Sequence, residues 1–230
     1  MKLIHTVIAL AALVFGAPAA RAISILDTAP ADDLFTLGVR VGLNTSNRTI
    51  NKDVFNVWNQ NSWGTGFTAG AVCDIWLRNY ISIQPGVFFE SRSGKFSYIG
   101  DWGQNAADTD VQVGKMRNYN LTVPVLASLH LRVGSLLRWD VELGPFVSFR
   151  LKTGGDRVLI PSDSFSASDV SYQTAHQRKF NAGIKIGTGL TLMRHYYLGV
   201  HYLASMMSPW KLNGLDGRDK AWTFTLGYNF

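Results

Sequence analysis

Cysteine, long apolar runs and helical periodicity are all scarce in this chain. One cysteine, Cys73, stands among 230 residues. A lone thiol closes no intramolecular disulfide, which excludes a disulfide-stapled secreted scaffold. Past the N-terminus no apolar run approaches the roughly 20 residues that a membrane-crossing helix needs, so a helical membrane protein is excluded. No nucleophile motif and no metal-ligand spacing occurs. The sequence therefore calls for no catalytic residue, no metal and no cofactor. Acid is the minority charge: 16 Asp and Glu stand against 22 Lys and Arg, a formal net charge of +6. That balance admits nucleic acid or anionic lipid as a partner. The N-terminus removes nucleic acid from consideration.

Met1–Ala22 reads as a signal peptide. Lys2 supplies a positive start, Ile4 to Gly16 a short apolar run, and Ala20-Arg21-Ala22 the small residues of a cleavage site. No cysteine follows that site, so a lipoprotein anchor has no attachment point. The expected domains are a signal peptide over 1–22, a periplasmic tail over 23–34 and a single barrel domain over 35–230.

What the rest of the chain has in abundance is a period of two. From Phe35 to Asn44, the residues Phe35, Leu37, Val39, Val41 and Leu43 alternate with Thr36, Gly38, Arg40, Gly42 and Asn44. Strand side chains point to opposite faces in turn, so this is a strand with one apolar and one polar side. The pattern recurs over Phe67–Leu77, Ile81–Arg92, Tyr119–Leu131, Trp139–Lys152, Phe180–Leu192, Leu198–Met206 and Trp222–Phe230. Each segment is near the length of a tilted barrel strand.

Alternation alone also suits a soluble barrel with its apolar side inward. Charge placement decides for the membrane. In all eight segments the apolar face carries no Asp, Glu, Lys or Arg, and the charges collect with glycine on the opposite face. Aromatics fall near the ends of the apolar face: Phe35, Phe67, Tyr119, Trp139, Phe149, Phe180, Trp222 and Phe230. Two interfacial girdles and an apolar outer band are features of outer-membrane barrels. Short links (Arg78-Asn79-Tyr80, Arg132–Arg138, Met193–Tyr197) alternate with long ones (Thr45–Gly66, Ser93–Asn118, Thr153–Lys179, Met207–Ala221). The short ones are expected in the periplasm and the long ones outside, without regular structure. The expected fold is all-β, an eight-stranded antiparallel up-and-down transmembrane β-barrel in the outer membrane. Pro85, Pro124 and Pro145 sit inside strand segments, where a missing N–H suggests a bulge at each.

Several motifs carry a family resemblance. Gly38-Val39-Arg40-Val41-Gly42-Leu43-Asn44, Ile83-Gln84-Pro85-Gly86, Val123-Pro124-Val125-Leu126, Leu143-Gly144-Pro145-Phe146 and the closing Gly227-Tyr228-Asn229-Phe230 occur in that order. In order and spacing they resemble the PorT-like outer-membrane β-barrel family of Bacteroidetes. The resemblance covers essentially the whole chain after the signal peptide and includes the three prolines. It implies a barrel mostly without assigned activity, some members of which serve type IX protein secretion and gliding.

The polar face supplies the candidate sites. An eight-stranded barrel is just wide enough to be filled by side chains. Arg40, Asp74, Glu90, Arg92, Asp140, Glu142, Arg150 and Lys185 are expected to form a lumenal charge network, with Arg40 near Asp74 and Glu142 near Lys185. Basic residues gather at the mouths of the long links. Of these, Arg150, Lys152, Arg178 and Lys179 are expected to meet the phosphates of lipopolysaccharide. Trp222, Phe224, Tyr228 and Phe230 make an amphipathic last strand ending in an aromatic carboxylate, which resembles the signal read by the barrel-assembly machinery. An enzyme would need serine, histidine and a carboxylate at one end of the barrel. Ser162, Ser164, Ser166, Asp163, Asp169 and His176 share one polar link, company that chance supplies. His130 and His201 are expected in the lumen and His195 in a periplasmic turn. The sequence thus favours a non-enzymatic anchor or accessory subunit of an envelope complex, periplasmic or in the outer membrane. A lipid A-modifying enzyme and a surface adhesion or defence barrel are the alternatives.

Overall fold

The computed structural model describes residues 26–50, 58–101, 109–133, 136–159, 178–208 and 217–230. The signal-peptide expectation for Met1–Ala22 and the polar cluster Ser162–His176 lie outside the described residues. Eight strands follow one another: β1 (Phe35–Ile50), β2 (Trp58–Arg78), β3 (Ile81–Asp101), β4 (Thr109–Val133), β5 (Leu137–Leu159), β6 (Phe180–Leu192), β7 (Tyr196–Ser205) and β8 (Gly217–Asn229). Each pairs antiparallel with its chain neighbours, and β1 pairs with β8 to close the barrel.

The period of two decides which side faces the lumen. In β6 the apolar Ile184, Ile186, Leu190 and Leu192 are exposed outward, while Asn181, Lys185, Gly189 and Thr191 are buried between them. β1 does the same, with Leu37, Val39, Val41 and Leu43 outward and Arg40 and Asn44 buried. An apolar exterior around a polar interior is the inverse of a soluble barrel, and it is stable where lipid is the solvent. Aromatic rings band the exterior at two levels. Phe67, Phe89 and Tyr119 form a chain of contacts with centroids 5.9 and 6.0 Å apart, Phe149 meets Phe180 at 5.3 Å, and Tyr202 meets Trp222 at 4.8 Å. At the other level Tyr228 contacts Tyr196, Phe230 and His195 at 5.4 to 5.7 Å.

Two expectations are overturned. The long links Thr45–Gly66, Ser93–Asn118 and Thr153–Lys179 were expected to lack regular structure, yet strand pairing runs deep into them. β3 and β4 stay in register to Asp101↔Thr109, β4 and β5 to Gln112↔Leu159, and β2 and β3 to Trp58↔Ile99. The link Met207–Ala221 likewise gives up Gly217–Ala221 to β8. Above the lipid both faces of a sheet are wet, so a strand there needs no hydrophobic alternation and leaves none to read. Backbone hydrogen bonds and β-prone residues such as Tyr98, Ile99, Val111 and Val113 suffice. From Thr109 to Asn118, β4 rises about 30 Å along its own direction, at roughly 3.3 Å per residue.

The bulges are also elsewhere than at the prolines. Pro85 faces Val125, Pro124 faces Phe146 and Pro145 faces Ile184, each without a register change. The cost of the missing N–H groups appears instead as bridge pairs absent beside them, between Pro85 and Phe88 in β3 and between Pro124 and Ala127 in β4. The register shifts fall between Trp63 and Thr68, between Trp76 and Arg78, and where Tyr119↔Lys152 gives way to Asn120↔Arg150. That last shift leaves Leu151 as the extra residue and puts Lys152 on the outer face with Tyr119, whereas strict alternation from Arg150 would have put it in the lumen.

Candidate functional site in the lumen and at the short-turn mouth

The lumen is filled in tiers. Nearest the short turns, one belt of hydrogen bonds runs strand to strand. Trp76 Nε1 of β2 donates to Thr36 Oγ1 of β1 at 2.9 Å. Asp74 of β2 accepts from Gln84 Nε2 at 2.9 Å and from Ser82 Oγ at 3.3 Å, both on β3. Ser82 Oγ lies 2.8 Å from His130 Nε2 on β4, and His130 Nδ1 lies 2.7 Å from Asp140 Oδ1 on β5. Asp140 also accepts from Arg138 Nε at 2.7 Å and from Thr191 Oγ1 of β6 at 2.6 Å. Six consecutive strands are tied at one level. The Trp76 ring packs on His130 at 4.4 Å, and the Arg138 guanidinium sits 5.0 Å above Trp76.

The middle tier centres on Tyr197, Glu142 and His201. Tyr197 donates its hydroxyl to Glu142 Oε1 at 3.0 Å, and His201 Nε2 pairs with Glu142 Oε2. Arg40 stacks over the Tyr197 ring at 4.1 Å and donates to the Val39 carbonyl at 3.1 Å. Lys185 lies 4.7 Å from the Phe88 ring. Gly189 and Gly199 flank Tyr197 so closely that a Cβ on either would stand 2.5 Å from the ring, so only glycine leaves room for it. The upper tier pairs Arg92 with Glu90, which also accepts from Thr122 Oγ1 at 2.8 Å. Phe146, Leu203 and Pro124 fill space between the polar groups.

Of the expected network, Arg40, Asp74, Glu90, Arg92, Asp140, Glu142 and Lys185 are buried, and Arg150 on β5 is half-buried. The partners differ from the neighbouring-strand pairs. Asp74 is held by Ser82 and Gln84 rather than Arg40, and Glu142 by His201 and Tyr197 rather than Lys185. Arg138, which is not among the residues expected in the network, completes the Asp140 cluster. Its signal was available: the short β4–β5 turn makes His130 and Asp140 direct cross-strand partners.

Ser82, His130 and Asp140 have the spacing of a nucleophile, base and orienting carboxylate. Yet Ser82 is 0 % exposed and its hydroxyl is shared with Asp74. The serine cluster around His176 lies outside the described residues. Among the described residues no group of His, Cys, Asp or Glu could hold a metal ion.

At the short-turn end the tail folds back over the barrel. The Trp76 N–H donates to the Leu34 carbonyl at 3.0 Å and the Asn79 N–H to the Ala29 carbonyl at 3.4 Å. Asn79 Oδ1 accepts from the Asp32 N–H at 3.1 Å, and Asn79 Nδ2 donates to Asp27 at 3.2 Å. Asp27 pairs with Arg132 at 3.0 Å and Asp32 with Arg194 at 3.8 Å. Tail and turns border a half-open cavity of about 490 Å³, lined among others by Asp27, Asp32, Trp76, His130, Arg138 and Arg194.

At the opposite end Arg117, Lys152, Arg178, Lys179 and Arg218 are exposed, while Arg92 turns inward to Glu90. The Arg150 N–H donates to the Lys179 carbonyl at 2.6 Å, which brings two of the four expected lipopolysaccharide contacts together. Trp222, Phe224 and Tyr228 of β8 and Phe230 just beyond it are exposed, and the Phe230 N–H donates to the Leu37 carbonyl at 2.8 Å.

No curated protein sequence matches the chain. Several solved structures are similar in outline. Neisserial surface protein A is 13% identical, with 84% of this chain and 97% of that one covered and a TM-score of 0.44. The outer membrane protein OprG of Pseudomonas aeruginosa is 12% identical over 85% and 95%, with a TM-score of 0.44. The attachment invasion locus protein Ail of Yersinia pestis, solved with the heparin analogue sucrose octasulfate, is 12% identical over 85% and 99%, with a TM-score of 0.40. Likenesses of this degree bear on no functional question. The profile of the outer membrane protein beta-barrel domain matches residues 28–208, from the tail through β7. An apolar belt, a closed eight-strand ring and that match agree, and the chain belongs to this family of outer-membrane β-barrels.

Proposed function

We propose that the barrel is a non-enzymatic anchor or accessory subunit of an envelope complex, working through its periplasmic end. The observation that carries this reading is the filled lumen. Phe146, Leu203, Glu142, Asp140 and Thr191 are each at most 2 % exposed, which leaves transport little room and shifts function to the two ends. The motif resemblance makes type IX protein secretion in a Bacteroidetes envelope the narrower form of the proposal. Cleavage of Met1–Ala22 by a signal peptidase and recognition of Trp222, Phe224, Tyr228 and Phe230 by the barrel-assembly machinery belong to the same reading. Lipopolysaccharide phosphates are the proposed partners of Arg150, Lys152, Arg178 and Lys179, with charge-assisted hydrogen bonds as the chemistry.

The test is purification from native membranes in gentle detergent. A periplasmic or outer-membrane protein recovered in stoichiometric amount is the expected result, and a barrel recovered alone would remove the anchor role. In the same preparation, alanine at Lys152, Arg178 and Lys179 should reduce co-purifying lipopolysaccharide. Unchanged lipid would remove that contact.

A second reading, a hydrolase, has one observation in its favour, the Ser82–His130–Asp140 spacing. A sealed nucleophile with its hydroxyl shared between His130 and Asp74 argues for a structural belt instead. A fluorophosphonate probe is expected to leave the folded barrel unlabelled. Labelling lost in Ser82→Ala would revive the enzyme.

A further inference from the structure

The tail is seated on the barrel end in a way that shows what this end can bind. Two kinds of contact hold it. Asn79 reads backbone, donating its N–H to the Ala29 carbonyl and accepting the Asp32 N–H on its side-chain oxygen. Such contacts suit any extended peptide and suit no lipid phosphate. Arg132 at the short-turn end of β4 and Arg194 in the β6–β7 turn read charge, meeting Asp27 and Asp32 respectively. With the tail lifted away, the mouth presents Arg132 and Arg194 beside Arg138, while the carboxylate there, Asp140, is already held by Arg138, His130 and Thr191. The tail brings Asp27, Asp32 and Asp33 to the same cavity.

The hold is weak. The Arg194 and Asp32 side chains are 78 % and 61 % exposed, and Arg132 is 50 % exposed. Exposed pairs of this kind contribute little, typically well under one tenfold step in affinity each. What keeps the tail in place is its tether, which gives it a local concentration on the order of millimolar. Barrel closure does not need it, because β1 to β8 pair all the way round without residues 26–34.

We propose that the short-turn mouth is a docking site for an extended acidic segment of a periplasmic protein, and that the tail Leu26–Asp33 occupies it as a tethered stand-in. The proposal rests on the reading above that the periplasmic end is the working end. It names the chemistry of the partner: backbone free to meet Asn79, and carboxylates spaced to reach Arg132 and Arg194.

The experiment uses the full chain folded in detergent and a fluorescein-labelled peptide of the sequence Leu26–Leu34, read by anisotropy. The wild-type chain, blocked by its own tail, should bind the peptide weakly. Asp27→Asn with Asp32→Asn in the chain loosens the tail and should tighten peptide binding several-fold, as the loss of two exposed pairs allows. Adding Arg132→Ala and Arg194→Ala to that variant should abolish the gain, with far-ultraviolet circular dichroism unchanged, since Arg132 is an exposed side chain at the short-turn end of β4 and Arg194 projects from the β6–β7 turn. Equal binding by wild type and the Asn variant would overturn the proposal, as would binding indifferent to the two arginines. Competition by phosphatidylglycerol vesicles but not by unlabelled peptide would also overturn it and make the mouth a lipid site. Peptide binding with no partner recovered from membranes would leave the docking site and remove the anchor role. A partner recovered equally with the arginine variant would remove the docking site and leave the anchor role.

Discussion

At the scale of single residues, Asp140 is heavily committed. It accepts from His130, Arg138 and Thr191 while 1 % exposed. Replacing it by alanine strands Arg138 and removes the partner of His130 Nδ1. Breaking a buried ionic cluster in this way costs about 3–5 kcal/mol. Urea unfolding of Asp140→Ala in lipid vesicles is expected to show a loss of that size, and a change under about 1 kcal/mol would mean that water already reaches the cluster. The identity of the buried charges was legible in the sequence, because charge on a barrel strand has only the lumen to go to. Their partners were not legible. Whether Glu142 meets Lys185 or His201 depends on side-chain reach across the stagger of neighbouring strands, which alternation does not encode. His201 reads as an ordinary polar-face residue and Tyr197 as the end of a short link until β7, which takes in both, is set beside β6.

At the scale of elements, the β6–β7 turn carries a local conflict. Met193 and Arg194 both adopt left-handed backbone, with φ of 52° and 65°, and the His195 N–H donates to the Leu192 carbonyl at 3.1 Å. Two successive left-handed residues match strand twist in a tight turn, but a side chain there costs roughly 1–2 kcal/mol per residue. Met193→Gly is expected to stabilise the barrel by about 1 kcal/mol in the same unfolding assay. A loss of stability would show that the exposed Met193 side chain makes a contact worth more than its strain. The strands within the lipid were legible because lipid and lumen impose opposite chemistries on successive residues. The upper parts of β2 to β5 were not, because no such contrast exists above the membrane. The prolines were legible as anomalies but not in their consequence. Three of them in adjacent strands remove bridge pairs without displacing the register.

At the scale of the whole molecule, the filled lumen predicts electrical silence. Purified protein in a planar bilayer is expected to give no stable single-channel openings, since Phe146, Leu203 and the Glu142 cluster occupy the cross-section. Long-lived openings of defined size would show that the tiers rearrange. Strand number, closure and the inside-out arrangement of polarity were all readable from the period of two and the absence of charge on one face. The shape above the membrane was not. There the paired sheet of β2 to β5 climbs as a wall, up to Asp101↔Thr109, while β6 begins at Phe180 and β7 ends at Ser205. A plain cylinder looks the same from every bearing in the plane of the bilayer. This one carries its longest described pairing on one side, over β2 to β5, so a neighbour drifting in the membrane meets a different molecule according to its azimuth, and turning about the membrane normal becomes a coordinate that contacts can sense.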